Sequence, residues 1–141
     1  MKTVLRTIAA VFAGLLVLFG LLIAVELFSA EVHPFPEAIG DMTEEEMCEH
    51  VARYPHWVLA VVVPLWAFAA LASTWIARRI GNLTSAAIVG LLLLAGLVCN
   101  VSMLPYPVWF KIVSLLVIPV AVFAGGRPWK RHKTTDSENS H

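Results

Sequence analysis

The stretch VLRTIAAVFAGLLVLFGLLIAVELFSA, residues 4–30, decides the fold, because it carries no charge between Arg6 and Glu26. A bilayer core of about 30 Å is crossed by roughly 20 apolar residues rising 1.5 Å each. Three further segments, 57–77, 83–104 and 108–124, meet or approach that length. Lipid offers no partner for backbone N–H and C=O groups, so each segment is expected to be a helix. Pro64 frees the carbonyl of Ala60 and Pro119 that of Leu115, which predicts kinks in spans two and four. The last span is the shortest and should cross with little tilt.

Composition points the same way. Of the 141 residues, 59% are hydrophobic and 14% charged, against about 25% charged in soluble domains. Mean hydropathy is +0.79. A soluble domain of this size leaves roughly a third of its unfolded surface exposed and could not hide so much apolar area. Disorder and a basic nucleic-acid binder are excluded by the same numbers, and two cysteines make no disulfide framework. The expected fold is an all-α membrane protein: an antiparallel four-helix transmembrane bundle over residues 1–134, with a disordered cytoplasmic tail at 135–141.

The basic residues set the expected orientation. Lys2 and Arg6 precede span one, Arg78 and Arg79 follow span two, and Arg127, Lys130, Arg131 and Lys133 follow span four. That side should be the cytoplasm, with both termini inside. With Asp136 and Glu138 these segments sum to +6. The outer loop 31–56 carries seven carboxylates against Arg53 alone, giving −6. A cleaved signal peptide is the other reading of span one, but its apolar run far exceeds the usual 7–15 residues or so.

The outer loop has its own pattern. His33-Pro34-Phe35-Pro36 should be extended, because proline keeps its predecessor out of the α region. Thr43 and Glu46 have capping-box spacing and open a short helix reaching about Arg53. Met42, Met47, Val51 and Tyr54 share one face of it. Such a helix either lies on the membrane surface or caps the bundle. The only two tyrosines sit in matching tetrads, Tyr54-Pro55-His56-Trp57 and Tyr106-Pro107-Val108-Trp109. An internal duplication would produce this. Convergence would too, since proline suits a first turn and Tyr and Trp suit the interface.

Candidate site residues lie beneath the outer surface. Glu26, Asn100 and Lys111 fall at one depth, roughly 6 Å inside spans one, three and four. Ionisable groups there usually face the bundle interior. His33 lies seven residues after Glu26, on the same face if the helix persists. His56 opens span two and Trp109 opens span four. These residues predict an outward-facing pocket with Glu26 as its acid, Asn100 as an orienting amide, and His33 and His56 at the mouth. The plainer alternative pairs Glu26 with Lys111 and leaves Asn100 bonding between helices.

A copper-type site is a sharper variant, drawing on Met42, Met47, Cys48, His50, His33 and His56. Their spacing is weak, so no metal and no cofactor is expected. Cys48 and Cys99 are expected as free thiols. Ala86 and Gly90, four apart, should let helices approach closely. Phosphate-loop, dinucleotide, nucleophile-elbow and zinc-helix motifs are absent from the sequence.

With Glu26, His33-Pro34-Phe35-Pro36, Asn100 and Pro105-Tyr106-Pro107-Val108-Trp109-Phe110 in view, the chain resembles a group of small bacterial four-span proteins. The resemblance implies a bacterial inner-membrane location and four spans, and it brings no activity with it. The function expected from the residues is a binding or accessory protein taking a lipid headgroup or a partner's helix. An enzyme on a lipid or isoprenoid substrate, with Glu26 as acid or base, is the alternative. A small oligomeric transporter is the third.

Overall fold

The computed structural model describes residues 2–34 and 43–128. Five helices follow in order: α1 (Lys2–Val32), α2 (Glu44–Ala52), α3 (His56–Ile80), α4 (Leu83–Met103) and α5 (Val108–Gly126). Four of them are long and apolar enough to cross a membrane, and α2 is not. Phe35, Pro36 and Met42 of the loop, and the tail expected to be disordered, lie outside the described residues.

The helix ends follow local chemistry. The Thr43 side chain accepts from the Glu46 N–H while the Glu46 carboxylate accepts from the Thr43 N–H at 2.8 Å, the capping box read from the sequence. Asn82 caps α4 in the same reciprocal way with Ser85. Pro55 and Pro107 precede the first turns of α3 and α5, where no intrahelical donor is lost. Pro64 and Pro119 lie inside helices that continue past them.

α3 is the hub: it packs on α1, α4 and α5, whereas the backbones of α1 and α5 are not adjacent. The two halves of the molecule pack differently. Around the start of α1 the helices meet through small residues. A Cβ on Gly14 would stand 3.0 Å from Ala77 Cβ and 3.1 Å from Ser73 O, and one on Gly90 would meet Val122 at 2.6 Å. Ser73 and Thr74 are fully buried in this seam because their hydroxyls donate back to the Ala70 carbonyl, at 3.1 and 2.7 Å. Toward the α2 end, Val25, Val58, Leu59, Val62, Val63 and the wholly buried Phe110 form a bulkier core.

The outside of the bundle is apolar. Leu5, Phe12, Leu16, Phe19, Ile23 and Leu27 run along α1, each 58–70% exposed. Water would not tolerate so continuous a patch, and lipid requires it. The chain is a multi-span α-helical membrane protein.

Candidate functional site

Where the small-residue seam gives way to the bulkier core, a groove opens between α1 and α4. Gly96, which lines it, has nothing within 4 Å of where a Cβ would stand, so α4 offers no side chain to α1 there. The groove encloses about 390 Å³, inside the size range of small-molecule sites. Leu18 and Leu22 form one wall, Leu93 and Leu97 the other, and Trp66 of α3 with Ile118 of α5 form the floor. Its polar end is made by Glu26 and Asn100, so the structure brings these two expected site residues together.

Two tyrosines join them. Burial first, and then the Glu26 charge, raises the Tyr54 phenol above its ordinary value. Burial, the Glu26 charge and the Tyr54 phenol push Tyr106 up to about 12, while the Asn100 amide beside it pulls the other way. Both phenols therefore stay protonated at neutral pH, within the electrostatic reach of the Glu26 carboxylate. The tetrads in the sequence had marked both residues, but only as interfacial aromatics.

Polar capacity is left over. Asn100 Oδ1 and Trp66 Nε1 are buried with no hydrogen-bond partner among the described residues. An orphaned buried polar atom costs about 1–3 kcal/mol. One is an acceptor and the other a donor, and both belong to residues lining the groove.

The remaining expected site residues divide into two groups. His33, just past α1, stacks on His50 of α2 with ring centroids 4.3 Å apart, and Tyr54 leans on His33 at 4.7 Å. This ring stack connects His33 to the Glu26 end through Tyr54. His50 is buried, and burial, then His33 and Arg53, holds its imidazole below the usual value. On the other flank His56 accepts a hydrogen bond from Trp109 Nε1 at 3.1 Å. Trp109 meets Phe110 edge to face, and Phe110 contacts both Tyr106 and Trp66.

Lys111 stands apart. Among the described residues the only ion pair is Glu49–Arg53, so the Glu26–Lys111 pair that the sequence allowed is not formed. The reason is topological: Glu26 is on α1 and Lys111 on α5, the two long helices whose backbones are not adjacent. Among the described residues no three of His, Cys, Asp and Glu converge as metal ligands, and Cys48 and Cys99 are free thiols. The helix that carries Cys48 and His50 instead turns His50 into the stack with His33.

Comparison with protein-family models, curated proteins and solved structures finds no match for the chain.

Proposed function

We propose that the protein is an antiparallel four-span bundle of the bacterial inner membrane that binds a lipid in the groove between α1 and α4. The headgroup sits at the Glu26–Asn100 end and an acyl chain runs along the leucines below. The observation that carries this reading is the pairing of an apolar trough with unsatisfied polar groups: a carboxylate and a free acceptor at its head, and a free donor on its floor. Glu26 is the one charged residue on the groove, which favours a headgroup offering hydroxyl or ammonium donors over a bare phosphate.

The distribution of charge supports the orientation. Arg6, Arg78, Arg79 and Arg127 cluster at one end of the helices, and Glu44, Glu45, Glu46 and Glu49 lie on α2 beyond the other. By the positive-inside rule the arginine end is cytoplasmic, so the headgroup end of the groove faces outward. An accessory role in which a partner's transmembrane helix fills the groove is the second reading, favoured by Phe19 and Leu92, the exposed apolar residues at its rim.

Mass spectrometry of lipids retained by the purified protein tests the proposal. One enriched lipid is expected, lost in Glu26→Gln and in Gly96→Phe, which fills the trough, at unchanged yield and Tm. A lipid profile identical to bulk membrane overturns it, and a stoichiometric co-purifying membrane protein transfers support to the second reading.

A further inference from the structure

At the opposite end of the bundle, far from the groove, four arginines converge. Arg6 comes from the first turns of α1, Arg78 and Arg79 from the last turn of α3, and Arg127 caps the C-terminus of α5. Together with Asn82 and Trp75 they line a single cleft of about 400 Å³. Like charges brought together from three helices repel one another, and nothing described at this end offsets them. The described carboxylates are Glu26 and Glu31, late in α1, and the four of α2, and none pairs with these arginines.

The cleft is held in shape. Arg6 Nε donates to the Ile80 carbonyl at 2.7 Å, which fixes the guanidinium against the end of α3 and leaves its terminal nitrogens for another partner. The Arg79 guanidinium lies 5.9 Å from the centroid of the Trp75 ring, a cation–π arrangement that orients its fork at the level where an amphipathic indole sits. Asn82 Nδ2 donates to Thr7 Oγ1 at 3.4 Å, tying the start of α4 to α1 at the same wall. Gly81 closes the corner; a Cβ there would run into Ala10. The helix dipole of α4 also begins here, and its positive end favours an anion.

We infer that this cleft binds a phosphate group, chelated by the forks of Arg6, Arg78, Arg79 and Arg127. Guanidinium is planar and offers parallel N–H donors, the geometry that takes phosphate oxygens two at a time. Scattered basic residues would satisfy the positive-inside rule without forming a concavity, so the convergence is the informative feature. Basic pockets between membrane helices are suited to the phosphodiester of an anionic lipid. A free phosphate or pyrophosphate has the same chemistry.

The test uses the full chain purified in neutral detergent. Thermal unfolding is followed with added phosphatidylglycerol, phosphatidylcholine, inorganic phosphate or pyrophosphate. Phosphatidylglycerol is expected to raise Tm and to survive as a bound adduct in native mass spectrometry, with phosphatidylcholine ineffective. Stabilisation by phosphate or pyrophosphate at millimolar concentration, without a lipid adduct, identifies the free anion as the ligand. Arg78→Gln/Arg127→Gln is expected to weaken binding at least tenfold. Lys2→Gln, which removes a charge at the same end but outside the cleft, should leave it unchanged. Arg127→Lys is the guard against misfolding: it keeps the charge, loses the fork and should still weaken binding. Equal effects of phosphatidylglycerol and phosphatidylcholine, or equal losses in Lys2→Gln and the arginine variants, overturn the inference.

Discussion

Trp109 donates its indole N–H to Nδ1 of His56 across 3.1 Å, tying the first turn of α5 to the first turn of α3. The acceptor role requires His56 to keep Nδ1 unprotonated. Trp109→Phe and His56→Leu should each lower stability by roughly 0.5–1.5 kcal/mol, the net worth of an ordinary hydrogen bond. The double variant should lose little more than either single one. Thermal unfolding of the four proteins measures this coupling, and strictly additive losses would show that the contact contributes nothing.

His50 makes stability depend on pH. Its folded-state imidazole, facing His33, Tyr54 and Arg53, titrates below the ordinary value of about 6.5. Between those two values the unfolded chain holds the proton more tightly, so stability rises with pH through that window. It is fully present above the unfolded value and is lost as pH falls toward the folded one. Tm should therefore be lower at pH 5 than at pH 8, and His50→Phe, which keeps a ring in the stack, should flatten the difference. An unchanged slope in that variant would assign the effect elsewhere.

Glycines divide by location. Gly125→Ala would drive a methyl into the Leu71 carbonyl, and Gly90→Ala one into Val122, so both should destabilise, by about 1–3 kcal/mol. Gly20→Ala and Gly96→Ala meet open space and remove a poor helix former, so they should be neutral or stabilising by up to about 1 kcal/mol. Urea or thermal unfolding in one detergent ranks the four. Equal effects would mean that the two halves of α4 and its neighbours pack alike.

Lys111 is half-buried and has no carboxylate partner among the described residues. Lys111→Met should leave stability within about 0.5 kcal/mol, as for a substitution remote from any specific network. Breaking a buried ion pair would instead cost about 3–5 kcal/mol. A loss of that size on thermal unfolding would be the mark of a Glu26–Lys111 pair.

The residues show why some of this could be read in advance and some could not. Length and hydropathy located the four spans to within a few residues, because lipid leaves a helix no alternative. Thr43 and Glu46 announced α2 because a capping box is a local object. Which helix faces touch is another matter. The spans are apolar on all sides, so periodicity does not say that α3 lies between α1 and α5, or that Lys111 and Glu26 form no pair. Ser73 and Thr74 gave no signal of burial, since a hydroxyl that bonds its own helix is as cheap inside as out. Tyr54 and Tyr106 were conspicuous by their repeated tetrads, yet only the folded chain brings both within the electrostatic reach of Glu26.

Because the backbones of α1 and α5 are not adjacent, the order of synthesis and the order of packing coincide. α3, the next long helix to leave the ribosome, is the main neighbour of α1; α4 then lies against both, and α5 against α3 and α4. Each newly inserted span finds a docking face already in the bilayer, and none waits for a partner three spans later. Such a chain can assemble stepwise during translation, with the α5-facing seam of α3 the last to be covered.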